Sequence, residues 1–169
     1  MNYKDWLATA PKEISEDALW RMEVYRLALF AGDLPWRDAT KLMQDRRTIK
    51  LSDQLFAAVG SISSNFAEGY SRSSHKDQAR FYEYALGSAR ESRNWYFGGR
   101  FSLSEEVSSH RIGFLTQIIR QLLKIIPEER GYVLKEEPSI YSSPEGASLD
   151  CLFQNIPMPE SILDATRNT

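Results

Sequence analysis

The sequence predicts an all-α protein: an antiparallel up-and-down four-helix bundle with an N-terminal and a C-terminal extension. Three observations carry this. Apolar residues recur at spacings of mostly three to five through residues 15–130. Glycine, proline and serine punctuate that stretch and leave only short connections between periodic segments, which makes neighbouring helices antiparallel. At 169 residues, with 42% hydrophobic and 26% charged residues, the chain has the size and composition of one ordinary globular domain with room for appended segments. The predicted organisation is an N-terminal extension over residues 1–14, the bundle over 15–130 and an extended acidic tail over 131–169.

The first helix is predicted from Ser15 to about Arg47, with Leu19, Met22, Leu27, Ala31, Leu34, Ala39 and Leu42 as its apolar positions. Gly32 and Pro35 interrupt it. Proline lacks a backbone donor and crowds the carbonyl four residues earlier, so a kink or break belongs between residues 31 and 35. The second helix runs from Leu51, started by Thr48 or Ser52, because Leu51, Leu55, Ala58, Ile62 and Phe66 fall on one stripe. Gly69 is placed to end it by adopting the left-handed conformation that closes many helices.

Ser74 and Asp77 form the sharpest helix-start signal in the chain, a capping serine with an acid three positions later. The third helix then extends to about Phe97, with Phe81, Tyr84, Ala85, Ser88, Ser92 and Trp95 inward, until Gly98 and Gly99 break it. Ser104, Glu105 and Glu106 suit the start of the fourth helix, where acids meet the positive end of the dipole. Its face of Leu115, Ile118, Ile119, Leu122, Leu123 and Ile126 is expected to run to Pro127. Beyond Gly131, four prolines argue for an extended tail with a short docking segment at Leu149 to Ile156.

Charge is unevenly distributed. Residues 20–130 hold 17 Lys and Arg against 13 Asp and Glu, while both ends are net acidic. A mildly basic body between acidic ends fits either a screened nucleic-acid-binding face or scattered solvated charge. No apolar run approaches the roughly 18 residues of a membrane span, and the amino end has no apolar signal-like segment, so a soluble, cytoplasmic protein is expected. The single cysteine, Cys151, has no partner for an internal disulfide.

Catalytic arrangements are not found. The two histidines, His75 and His110, lack the Glu-x-x-His spacing of di-metal bundles and read as solvated side chains. There is no phosphate loop and no nucleophile elbow, and Glu68 with Asp77 is better explained by capping and ion pairing. The expectation is a protein with no catalytic residues, no cofactor, no metal, no small-molecule substrate and no membrane partner.

The informative stretch is Ser61 to Ser88, SISSNFAEGYSRSSHKDQARFYEYALGS. Gln54, Ser61, Ile62, Ser64, Asn65, Ala67, Glu68, Gly69, Arg72, Ser74, Lys76, Phe81, Ala85, Gly87, Ser88 and Glu91 carry the resemblance. With them the chain resembles the four-helix bundle proteins encoded within ribosomal-RNA intervening sequences, and their relatives, the accessory variability determinant proteins of diversity-generating retroelements. The likeness spans helices two and three. It implies a non-enzymatic bundle that assembles with itself, commonly as a barrel-like pentamer, and that associates with nucleic acid or with a nucleic-acid-handling protein such as a reverse transcriptase. The chain departs from the family in having Phe56 and Ala57 where two arginines are usual, and Ser63 where a proline is usual.

Two readings of these residues stand side by side. Asn65, Glu68, Gly69, Arg72, Ser74 and Asp77 brace the loop between helices two and three, with Glu68 at ion-pair reach of Arg72, or they form a contact surface. Gly87 and Ser88 let two helices approach closely. Arg72, Lys76, Arg80, Arg90 and Arg93 are the candidate contacts for nucleic acid or a partner on the outer side of helix three, or an ordinary solvated face. The leading expectation is a homo-oligomeric scaffold associated with nucleic acid. The alternative is a protein-interaction or structural oligomer that binds none.

Overall fold

The computed structural model describes residues 2–130 and 152–160. Its regular elements among these residues are all helical: α1 (Tyr3–Leu7), α2 (Lys12–Ser15), a 3-10 turn (Ala18–Arg21), α3 (Glu23–Asp33), α4 (Pro35–Leu42), α5 (Ile49–Tyr70), α6 (His75–Gly99) and α7 (Glu105–Arg130).

The predicted first helix is several pieces. Residues 16–22 leave α-geometry because the Asp17 carboxylate accepts from the Leu19 amide at 2.7 Å and so caps a 3-10 turn instead. The predicted break falls at Leu34, with Pro35 opening α4 where its missing donor costs nothing. α4 stops at Leu42 rather than Arg47, since the Thr48 hydroxyl donates to the Leu42 carbonyl at 2.5 Å and Asp45 takes both the amide and the guanidinium of Arg47.

Helix direction follows from residue pairs. Tyr25 stacks near Phe66, and Trp36 meets Phe56 edge-on, so α3 and α4 together run against α5. Phe66 at the end of α5 stacks on Tyr82 near the start of α6 at 4.4 Å, while Leu51 at the other end of α5 lies against Gly98. Arg130 at the end of α7 reaches Glu83 near the start of α6 at 2.6 Å. α5, α6 and α7 are therefore consecutively antiparallel, and α3 packs on both α5 and α7.

The core is the meeting of their apolar stripes. Leu27, Phe30, Leu55, Ile62, Phe66, Tyr82, Phe114, Ile118, Leu122 and Ile126 are all buried. Each large side chain removed from water contributes on the order of 1.5–3 kcal/mol. α7 does not stop at Pro127. The proline sits in the last turns, where one lost donor is tolerated, and the helix continues to Arg130.

The face of α6 that points inward matches the predicted one at Ala85 and Ser92 and differs from it at the aromatic positions. Ala79, Tyr82, Ala85, Leu86, Ala89, Ser92, Tyr96 and Gly99 are buried, whereas Tyr84 is exposed, and Phe81 and Trp95 are half-buried. Small residues dominate this stripe and let α5 and α7 approach α6 closely. Gly87 takes no part in it, since a Cβ there would meet nothing within 4 Å.

Both extensions touch the bundle. Tyr3 and Trp6 of α1 pack against Phe30, each at 5.2 Å between ring centroids. Phe153 packs on Tyr3 and on Phe114, and Ile156 is buried. The predicted docking segment is thus present over 152–156; residues 149–151 lie outside the described residues.

Candidate functional site

The loop between α5 and α6 gathers most of the motif residues. Ser74 caps α6, its hydroxyl accepting from the Asp77 amide at 3.2 Å, as the sequence predicts. Glu68 pairs with Arg72, and the Arg72 guanidinium lies 4.5 Å from the centre of the Phe81 ring. Arg80 approaches the same ring at 5.6 Å and pairs with Asp77 at 3.3 Å. Asn65 stands apart from the loop and reaches across to Ser88 at 3.5 Å.

Gly69 is a helical residue, not a left-handed terminator, because α5 continues through Tyr70 and the right-handed Ser71 follows. Its glycine requirement has a different origin. A Cβ at Gly69 would sit 2.8 Å from Tyr82 Cε1 and 3.0 Å from Phe81 Cβ, so the absence of a side chain is what lets the two helices cross here.

The five candidate basic residues do not form one surface. Arg72, Lys76 and Arg80 are exposed at the α5–α6 end of the bundle, and two of the three are ion-paired. Arg90 is half-buried about 15 Å beyond Arg80 along α6, at 1.5 Å per residue. Arg93 turns toward α7, where Nη1 donates to Thr116 Oγ1 at 3.4 Å.

The most elaborate polar arrangement is one that the sequence did not signal. Arg111, 1% exposed, donates from Nε to Asp38 Oδ2 at 2.7 Å and from Nη2 to Asp38 Oδ1 at 3.1 Å. The Tyr96 hydroxyl donates to the same Oδ2 at 2.8 Å. Arg111 Nη2 also donates to the Pro157 carbonyl at 2.9 Å, and Nη1 donates to His110 Nδ1 at 2.9 Å. His110 Nε2 in turn donates to the Leu152 carbonyl at 2.9 Å, so the neutral ring with its proton on Nε2 satisfies both neighbours.

His110 is therefore not the solvated residue expected from its polar neighbours. Burial first, and then the adjacent Arg111 charge, push its pKa down to about 4. Burial and the Asp38 charge push the Tyr96 phenol well above its ordinary value. The cluster joins α4, α6, α7 and the docked tail, and every polar group in it has a partner. His75, by contrast, is solvated and meets Glu129 at 2.6 Å. Among the described residues, no three His, Cys, Asp or Glu side chains come together in a way that holds a metal ion.

Apolar surface is the other notable feature. Trp36 is 66% exposed and touches Phe56, itself exposed, edge-on at 5.1 Å. Met43 and Ile49, both exposed, lie farther along the same two helices toward their connection. Phe97 and Phe101 stand outside the core at the α6–α7 corner, while Tyr96 and Trp95, their neighbours in sequence, are buried and half-buried. No helix among the described residues is long and apolar enough to cross a membrane.

Comparison with known proteins agrees with this architecture. A family model described as 23S rRNA-intervening sequence protein matches residues 21–127, from the end of the 3-10 turn to Pro127. A solved structure from Bacteroides thetaiotaomicron, described as a protein with unknown function from the S23 ribosomal protein family, is similar over 61% of this chain and 97% of its own. The TM-score is 0.57 at 21% identity, a likeness of fold. No curated protein matches the chain.

Proposed function

The chain belongs to the 23S rRNA-intervening sequence protein family, and from that footing we propose that it is a non-catalytic, homo-oligomeric helical scaffold that associates with nucleic acid or with a nucleic-acid-handling partner. The observation that carries self-association is the Trp36–Phe56 pair. Two large aromatic side chains in contact with each other, flanked along α4 and α5 by exposed Met43 and Ile49, present an apolar stripe that a neighbouring copy would cover. Phe56 occupies a position where the resemblance leads one to expect arginine, so this chain has exchanged charge for apolar contact there.

Light scattering on the full chain tests the scaffold. The expected mass is a multiple of 19.4 kDa at micromolar concentration, falling toward one copy in the Trp36→Ala/Phe56→Ala variant with helical content retained. A monomeric parent protein sinks the proposal.

The second reading, a protein-interaction oligomer that binds no nucleic acid, is favoured by the ion pairs that occupy Arg72 and Arg80. Titration of single- and double-stranded DNA and RNA at about 50 mM salt separates the two, since phosphate contacts dominate there. Absence of binding leaves the protein-interaction scaffold. Deleting residues 131–169 is not a pure charge test, because it also removes the segment that partners Arg111 and His110.

A further inference from the structure

The α6–α7 corner holds a ledge that nothing in the core explains. Arg100 lies between two phenylalanines, with its guanidinium carbon 4.0 Å from the centre of the Phe97 ring and 4.1 Å from that of Phe101. The sandwich covers one face of each ring and leaves the rest in water: Phe101 is 84% exposed and Phe97 57%. Arg100 Nη1 also donates to the Phe97 carbonyl at 2.6 Å, which fixes the cation in place.

The ledge is held firmly from behind. A Cβ at Gly99 would lie 2.9 Å from Leu42, and one at Gly98 would lie 3.2 Å from Leu51, so this turn sits hard against α4 and α5. Ser102 donates to Asp45 at 3.4 Å and ties the corner to the α4–α5 connection. Exposed Arg46, Arg47 and Lys50 occupy that connection and the start of α5, beside the ledge. Asp45 is engaged by Arg47 and Ser102, so it offsets little of the remaining positive charge.

Between the ledge and α7 lies a pocket of about 520 Å³ lined by Phe97, Arg100, Phe101, Glu105 and Ser108 among others. The Ser108 hydroxyl is buried and has no hydrogen-bond partner among the described residues. A buried hydroxyl without a partner is uncommon in native proteins, but this one is shut off from solvent, so the polar group the pocket itself presents is the Glu105 carboxylate. Glu105 adds an acceptor suited to an amino group on a base edge.

We propose that Phe97, Arg100 and Phe101, with the adjoining Arg46 and Lys50, form a binding platform for single-stranded nucleic acid. Open aromatic faces braced by a guanidinium stack on bases of any sequence, and flanking cations track the phosphates. Bases paired within a duplex do not present their faces, so the platform selects single strands. It stands at the opposite end of the bundle from Arg72, Lys76 and Arg80, since it adjoins Leu51 at the start of α5 and the end of α6, whereas these residues lie at the α5–α6 connection. The inference rests on the nucleic-acid reading above and gives it a location and a substrate class.

The test is fluorescence anisotropy of the full chain with a labelled single strand of about 12 nucleotides, as RNA and as DNA, and with the matching duplex, at about 50 mM salt. Single strands are expected to bind at least about tenfold more tightly than duplex. Phe97→Ala/Phe101→Ala should lose at least about tenfold of the single-strand affinity, in the range found for loss of stacking. Both rings are exposed, so the circular dichroism spectrum should not change. Arg46→Ala/Lys50→Ala should flatten the salt dependence, and Lys76→Ala/Arg80→Ala should leave single-strand binding as it was. Parent protein that binds while the double phenylalanine variant binds equally well overturns the platform and leaves the nucleic-acid reading standing. So does loss of single-strand binding in the Lys76/Arg80 variant. Parent protein that binds no strand overturns both.

Discussion

Arg111 grips Asp38 with two hydrogen bonds across 73 residues of chain, and both side chains are removed from solvent. The pair fastens α7 to α4, the short helix that follows the kink at Leu34 and packs chiefly on α5. Removing one partner leaves the other charge buried without compensation, at a cost of about 3–5 kcal/mol. Asp38→Ala or Arg111→Ala should therefore lower the urea midpoint sharply. Replacing both, as Asp38→Leu/Arg111→Met, should cost less than either single change, because no orphaned charge remains. A double variant less stable than both singles would show that the pair is net stabilising beyond its shape.

The His110 ring gives stability a pH dependence of definite sign. Its pKa is about 4 in the folded protein and about 6.5 in an unfolded chain, so the unfolded state binds more protons between these values. Its contribution is fully present above about pH 6.5 and is lost as pH falls toward 4, by about 2 kcal/mol after allowance for partial solvent screening. Denaturation midpoints measured over this range should fall with pH, and His110→Gln should flatten that slope. An imidazole that titrates near pH 6.5 in the folded protein, followed by NMR, would refute the assignment.

Gly69→Val should destabilise the fold by about 2 kcal/mol or more beyond Arg72→Ala. The first forces Tyr82 and Phe81 out of contact distance, an overpacking cost of about 1–3 kcal/mol before β-branching is added, whereas the second removes an exposed pair worth about 0–1 kcal/mol. The reason can be checked separately. Helical geometry makes Gly69→Ala milder than Gly69→Asn, while a left-handed site would reverse that order.

Ile156→Ala should cost about 2 kcal/mol, the low end for a buried isoleucine, because the segment that carries it is short. The same variant should increase protease cleavage between residues 131 and 160 without altering the helical content of the bundle. An unchanged melting temperature would mean that the 152–160 segment contributes nothing to the core.

Much of the bundle was legible from local pattern. The stripe Leu55, Ala58, Ile62 and Phe66 is buried as its spacing requires, and Ser74 caps α6 where the sequence places it. These features depend on helical period and on hydrogen bonds within a few residues, and both are written in consecutive positions. The inner face of α6 was not legible in the same way. Aromatic residues marked one face, and Ala85 and Ser92 were expected inward, but Ala79, Ala89 and Gly99 complete the buried face in place of Tyr84, because what packs there depends on how closely α5 and α7 approach. Gly69 shows the same division: its identity hinted at a helix end, and only Tyr82, delivered by the next helix, reveals the steric reason for it.

By itself the sequence determined the long helices α5, α6 and α7 and the Ser74 cap of α6, since each follows from backbone geometry and neighbours three or four residues away, while the pieces of the predicted first helix and the role of Gly69 lay beyond it. The tertiary structure alone decided that Arg111, Asp38, Tyr96 and His110 meet out of water, that carbonyls from the 152–160 segment complete their hydrogen bonds, and that Phe97 and Phe101 remain outside. A charged side chain on a helix reads as solvated unless a partner waits for it. Whether one does is fixed by packing between segments distant along the chain, which no local periodicity encodes.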